Sequence, residues 1–307
     1  MALKNRLEIK GKNDCFLVNL TDSSILKKNG EICSVYLGNS LESGRRVVVK
    51  RYHSWVPSTP EYFWRVEREA NAINACSGIG SELANQDGIY YLIMDYVDGL
   101  SFKDLTRWHY HRKLTFPDLL SISIKALKAL RNIHNAGFVH CDIKPSNIIV
   151  SSNDLKNLAN ADVRIVDFGM ARRPAESLQY GEHKLPFALI YSAPEQILNL
   201  WELINFSTDI YSMAITLWQF FTRDEPWYSD NPLKTIHIQL TQELPKRKQI
   251  PEGLMKIISK ATSKPKFAKP PHCYSRKQLK DIVEHAVNMR YSNVDEFLDD
   301  IIVLKKF

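Results

Sequence analysis

Asp142 and Asn147 stand five residues apart in the segment His140-Cys141-Asp142-Ile143-Lys144-Pro145-Ser146-Asn147, and Asp167-Phe168-Gly169 follows twenty residues after Asn147. The patterns on either side differ in kind. Upstream, Leu119, Leu120, Ile122, Ile124, Ala126, Leu127, Leu130 and Ile133 recur at helical spacing, and Gly137 lies just past them, where a helix end favours glycine. Downstream, Ile148-Ile149-Val150 and Val163-Arg164-Ile165-Val166 read as short strands. A loop entered from a helix and left by a strand, with a second strand ending on Asp167, leaves few folds open. Pairing the two strands would bring the Asp167 carboxylate to the Asn147 amide. Oxygen donors so placed suit a hard cation such as Mg²⁺.

The rest of the chain divides into two parts. Residues 7–9, 16–18, 34–37, 46–50 and 90–94 are short β-branched or aromatic runs, punctuated by Gly11, Asn29-Gly30 and Ser43-Gly44. One helix is expected over 61–75, introduced by Ser58-Thr59-Pro60. Beyond about residue 100 the pattern is mainly helical, with a strongly apolar helix over 208–222. The expected organisation is therefore residues 1–97, a five-stranded sheet plus one helix, and residues 98–307, mainly helical.

Charge and cysteine usage restrict partners and compartment. Lys and Arg number 41 against 34 Asp and Glu, a net charge of +7. That balance suits an anionic partner, but no nucleic-acid-reading motif accompanies it, so nucleic acid is not expected. Five cysteines without CxxC spacing argue against a disulfide framework or a zinc site and for a reducing compartment. The N-terminus has no apolar core of a secretory signal, and no run of 18 apolar residues occurs, so a cytoplasmic protein without a membrane span is expected. Residues 263–280, rich in Lys and Pro, read as an exposed basic loop and a candidate docking surface.

The pattern at 140–147 with Asp167-Phe168-Gly169 resembles the eukaryotic-type (Hanks-type) serine/threonine protein kinases, whose catalytic loop H-R-D-x-x-x-x-N is followed by D-F-G. The resemblance runs from about residue 25 to about 300. It implies an α+β, bilobal protein-kinase-like fold with a small β-rich N-lobe and a larger helical C-lobe. It also implies transfer of the γ-phosphate of ATP to Ser or Thr of protein substrates, with Mg²⁺ or Mn²⁺. By it, Asp142 orients the substrate hydroxyl, Lys144 contacts the γ-phosphate, and Asn147 and Asp167 hold metal.

Further residues fit the same family. Lys50 ends the run Val47-Val48-Val49, and a lysine on a buried strand needs an acidic partner or a phosphate. The family pattern gives it the α- and β-phosphates and a helix glutamate. Of Glu67 and Glu69, the context of Arg68, Ala70 and Ile73 favours Glu69. Met94-Asp95-Tyr96-Val97-Asp98-Gly99 resembles the hinge: the backbone of Asp95 and Val97 would bond the adenine edge, Met94 would sit behind it, and Val35 and Val48 would cover its faces. Ser192-Ala193-Pro194-Glu195, Asp209 and Arg290 match structural positions of the family, and Asp209, as an acid at a helix start, should also cap that helix.

Three departures qualify the resemblance. Cys141 replaces the arginine that grips a phosphate on the activation loop, so control by activation-loop phosphorylation is not expected. Phe187-Ala188 replaces a Gly-Thr pair whose hydroxyl bridges the catalytic Asp and Lys. The glycine-rich cover is degraded: with Val35 as its final valine, Lys28, Gly30 and Cys33 occupy the three glycine positions. Two other readings stay open: a catalytically weak, ATP-binding interaction module, and a small-molecule kinase of related fold.

Overall fold

The computed structural model describes residues 6–21, 25–27, 30–76, 78–151, 161–174, 176, 188–227 and 229–305. Lys28, Asn29 and Phe187, named above, lie outside them. The chain divides into two compact units, Met1–Val97 and Asp98–Phe307.

The first unit contains β1 (Arg6–Lys10), β2 (Cys15–Asn19), β3 (Ile25–Lys27), β4 (Cys33–Ser40), β5 (Arg46–Tyr52), helix α1 (Pro60–Cys76), β6 (Ser81–Gln86) and β7 (Ile89–Asp95). The strands form one seven-stranded antiparallel sheet in the order β1-β2-β4-β5-β7-β6, with β3 paired to β4. Successive residues of a strand face opposite ways. On β5 this sends Val47 and Val49 into a core with Ile9, Phe16, Val18, Ala84, Tyr91 and Ile93. Val48 and Lys50 point to the other face.

The sheet curls until its first and last strands meet. Lys10 N–H donates to Gln86 Oε1 at 3.4 Å, Gln86 Nε2 to the Glu8 carbonyl at 3.2 Å, and Lys12 N–H to Glu82 Oε2 at 3.2 Å. Curling encloses the apolar face, so strands of only five to eight residues bury a continuous core. Among the described residues the sheet has seven strands rather than the five expected. The two not foreseen are β3, three residues long, and β6, whose sequence Ser-Glu-Leu-Ala-Asn-Gln has little strand propensity. Strand β6 exists because all six of its residues pair in register with β7.

In the second unit the order is β8 (Leu100–Ser101), α2 (Phe102–Leu105), α3 (Trp108–His111), α4 (Phe116–Asn135), β9 (Ile148–Ser151), β10 (Asp162–Ile165), α5 (Pro194–Ile197), α6 (Phe206–Thr222), α7 (Pro232–Thr241), α8 (Glu252–Ala261), α9 (Arg276–Asn288) and α10 (Val294–Leu304). Helix α4 starts at a capping box in which Thr115 and Asp118 each bond the other's backbone N–H. Every residue of α6 after Phe206 is buried, the polar Ser207, Thr208, Asp209, Ser212, Thr216, Gln219 and Thr222 included, as befits a central core helix. The short sheet β10-β9-β8 lies beside the loop that α4 feeds.

The exposed basic loop expected over 263–280 is only partly present. Arg276 onward is helix α9, started by a capping box between Ser275 and Gln278. Lys264 turns inward, donating to the carbonyls of Gln239 and Gln242, the latter at 2.6 Å, and sitting 3.5 Å from the Trp227 ring centroid. Among the described residues, no helix is long and apolar enough to cross a membrane.

Candidate active site

The antiparallel register of β9 with β10, Ile148 opposite Ile165, brings the ends of two loops together. The Val166 N–H, one residue before Asp167, donates to the Asn147 carbonyl at 2.9 Å. Within the first loop the Asp142 carboxylate accepts from Lys144 Nζ at 2.6 Å and from Asn147 Nδ2 at 3.2 Å, and the same Nδ2 reaches the Asp142 carbonyl at 2.9 Å. Asp142, Lys144 and Asn147 are thus one hydrogen-bonded group. Burial pushes the Asp142 carboxyl above its usual range, and the Lys144 ammonium opposes that shift.

This loop is held from beneath. Asp209, wholly buried in the first turn of α6, accepts from the backbone N–H of His140 at 2.7 Å and of Cys141 at 2.8 Å. It also accepts from His134 Nε2 at 3.0 Å. The expectation that Asp209 caps its own helix is therefore corrected: Asn205 does so, through the Ser207 N–H at 2.8 Å, while Asp209 serves a segment 68 residues away. The clamp is needed because Cys141 adopts φ 64°, a left-handed conformation costly for a side chain other than glycine. Asp167 is likewise left-handed at φ 67°. Gln196 Nε2 adds a bond to the Cys141 carbonyl at 2.9 Å. The His140 ring spans Val166 and Asp142: Nε2 is 3.2 Å from the Val166 carbonyl, and Nδ1 accepts from the Asp142 N–H at 3.3 Å. Both contacts are satisfied by a neutral ring protonated on Nε2.

A buried ion pair lies in the same unit. Arg290 Nη1 and Nη2 bind Glu195 Oε1 and Oε2 at 2.8 and 3.0 Å, with both side chains fully buried. Thr208 Oγ1 donates to the same Glu195 Oε1 at 2.8 Å. Ala188 lends its carbonyl to the N–H groups of Tyr191 and Ser192.

In the first unit, Lys50 Nζ lies 2.5 Å from Glu69 Oε1, and both side chains are nearly buried. Glu67 faces solvent. Glu69 also accepts from Tyr52 Oη at 3.2 Å. Tyr52 was not foreseen, although its place two residues after Lys50 on β5 put it on the same face. Register aligns Val35 with Lys50 and Leu92, and Leu37 with Val48 and Met94, so these six residues share the face opposite the core. The Asp95 N–H is spent on the Gly80 carbonyl at 3.0 Å, and Val97 follows at the end of the unit. The Gly30 carbonyl is fixed by His53 Nε2 at 3.0 Å.

The oxygen donors near Asp142 fit a divalent cation of a particular kind. Among the described residues there is no cluster of three or more His, Cys, Asp or Glu able to hold a metal. The Asp167 carboxylate acts on the charge of Asp142, and with the Asn147 amide oxygen it would supply two protein ligands. Mg²⁺ is commonly held in this way, by one or two protein oxygens, with water and substrate phosphates completing the shell.

Comparison with known proteins bears on the same residues. The protein kinase domain family model matches residues 29–293. A probable serine/threonine-protein kinase of Clostridium perfringens is 30% identical over 243 residues, 76% of this chain and 34% of that protein. One of Streptomyces coelicolor is 30% identical over 227 residues, 70% of this chain and 32% of its own length. The serine/threonine-protein kinase PknB of Mycobacterium tuberculosis is 26% identical over 227 residues, 70% and 34% of the two chains. This chain thus spans about a third of the length of these curated relatives.

Proposed function

The chain belongs to the protein kinase domain family, and on that premise we propose that it transfers the γ-phosphate of ATP to serine or threonine hydroxyls of protein substrates. The names of the relatives support the acceptor class. The observation that carries the reading is the Asp142 carboxylate held by Lys144 and Asn147 on a backbone that Asp209 pins.

Phosphoryl transfer asks a protein for position and charge rather than for covalent chemistry. In this reading Asp142 orients the acceptor hydroxyl and takes its proton as the oxygen–phosphorus bond forms and the bond to the β-phosphate oxygen breaks. Lys144 neutralises charge on the group in transit. Asn147 and Asp167 would hold Mg²⁺, or Mn²⁺ in its place, and the cation would neutralise the phosphate oxygens. In the first unit, Lys50, oriented by Glu69, would bind the α- and β-phosphates. Val35, Val48 and Met94 would cover the adenine, the backbone of Asp95 and Val97 would bond its edge, and Gly30 would lie in the turn over the phosphates. Five cysteines without a disulfide support a cytoplasmic location.

Purified protein with radiolabelled Mg-ATP and generic protein substrates tests the reading. Label should appear on phosphoserine or phosphothreonine. Asp142→Asn should lower the rate by about 10²- to 10⁴-fold, the usual contribution of a positioned acid or base. Label only on small hydroxyl compounds, or ATP binding without any turnover, would overturn it.

A further inference from the structure

The net charge of this protein is concentrated in one place. Residues 253–280 hold eight Lys and Arg and no Asp or Glu, so the remainder carries 33 bases against 34 acids. Several of the eight are engaged: Lys256 with Glu252, Lys260 over Tyr291, Lys269 over Tyr274, and Arg276 with Glu202. Lys264 is turned inward on two carbonyls. Lys266 and Lys277 project into solvent. Helix α9 opens with Arg276 and Lys277 and has no acid in its first turn, so positive charge stacks on the positive end of the helix dipole. That arrangement costs stability by itself and is relieved by a negative group beside it.

A cavity of about 930 Å³ lies along this basic segment, between the end of α8, residues 263–267 and α9. Leu244, Pro265, Phe267, Ile282, Ala286 and Met289 give it apolar walls. Met289 is 58% exposed, large for a methionine in so polar a surrounding. Helix α9 has two working faces. Val283 and Val287 pack on Leu200 and Leu203, which fixes the helix to the core. Asp281, His285 and Met289, one turn apart, line the cavity, and Lys277 extends the same stripe.

We propose that this cavity and its basic rim dock an acidic segment of a partner protein, with one bulky apolar side chain of that segment seated against Ile282, Phe267 and Met289. Three observations select this occupant. The amino group of Lys264 is committed to backbone carbonyls, so among the described residues that line the cavity Lys266 is the one other lysine, and a small anion meets no converging pair of lysines. The lining also includes the carboxylates of Glu243 and Asp281, which oppose a uniformly charged phosphate backbone but can be avoided by discrete acids on a peptide. Tyr274 is occupied by Phe267 and Lys269, and its oxygen accepts two backbone N–H groups, which leaves it unsuited to stacking on bases.

Binding is read directly, without turnover, so its outcome is independent of the catalytic reading. The probes are four fluorescein-labelled dodecapeptides in which Asp or Glu alternates with Ser or Gly around a central Leu, Met, Phe or Trp, with matched peptides in which Lys replaces each acid. Anisotropy titration of the full chain should show at least one acidic peptide binding ten-fold or more tighter than its matched Lys peptide. The affinity should fall as salt rises from 50 to 300 mM, since rim charges are screened at about one Debye length. Lys266→Glu with Lys277→Glu, both at exposed positions, should lose that binding at least ten-fold, and His285→Glu at the mouth should weaken it, while phosphoryl transfer to a generic substrate stays unchanged. No preference for acidic over Lys peptides, or affinity unmoved by the double charge reversal, would overturn the proposal. So would tighter binding of a twelve-nucleotide oligo-dT or of phosphatidylserine vesicles than of every acidic peptide.

Discussion

Replacing Arg290 by Met isolates the energetic role of the buried Arg290–Glu195 pair. Methionine keeps the apolar stem, so little packing is lost, but the Glu195 carboxylate then stays fully buried with Thr208 as its remaining side-chain donor. Arg290 also gives up its bond to the Ser263 carbonyl at 3.2 Å and its place over the Tyr211 ring. Removing one member of a buried ion pair costs about 3–5 kcal/mol, mostly through the charge left behind. For a unit the size of Asp98–Phe307, each kcal/mol moves the melting point by about 2–4 °C, so Arg290→Met should melt about 6–20 °C lower. Urea denaturation gives the free energy directly. Adding Glu195→Gln removes the stranded charge, so the double variant should be more stable than Arg290→Met alone. A loss under about 1 kcal/mol for Arg290→Met, as at a solvated surface pair, would refute the reasoning. So would a double variant whose cost equals the sum of the two singles.

Glu69→Gln keeps an acceptor for Lys50 but removes its charge, and kcat/KM for ATP should fall about 10- to 150-fold, the value of a hydrogen bond to a charged group, as steady-state kinetics would measure. Phosphatase treatment should leave activity intact, because Cys141 replaces the arginine that the protein kinase pattern has between His140 and Asp142; a phosphatase-sensitive rate would contradict this. Burial and the nearby Arg290 push Lys264 down to about 6 from 10.5, so between those pH values the unfolded chain binds the proton and the folded chain does not. Stability should therefore rise with pH across that window, and the rise should shrink in Lys264→Met, as chemical denaturation at pH 6, 7.5 and 9 would report.

The grouping of Asp142, Lys144 and Asn147 was legible in the sequence because its signals are local. Asp142, Lys144 and Asn147 lie within six residues, and the apolar runs that became β9 and β10 predict the pairing that brings Val166 to Asn147. Strand β6 was hidden because Ser81, Glu82, Asn85 and Gln86 carry no strand preference, and only its register with β7 makes it a strand. The capping box of α9 was readable as Ser275 and Gln278, but prolines and lysines masked it. The Asp209 clamp joins residues 68 and 69 positions apart, a separation beyond any local pattern. The curl of the first sheet is hidden for the same reason, since side chains of Glu82 and Gln86 meet backbone 70 and 78 residues earlier.

That curl has a consequence for the behaviour of the protein in concentrated solution. An open sheet offers its outermost strands as templates on which another molecule can add a strand. Here β1 and β6 spend part of that capacity on each other, through the bonds of Gln86 to Glu8 and Lys10 and of Glu82 to Lys12. Gln86→Ala with Glu82→Ala would unstitch the seam and leave two polar margins facing solvent. The two side chains thus act against self-association as well as for the shape of the sheet.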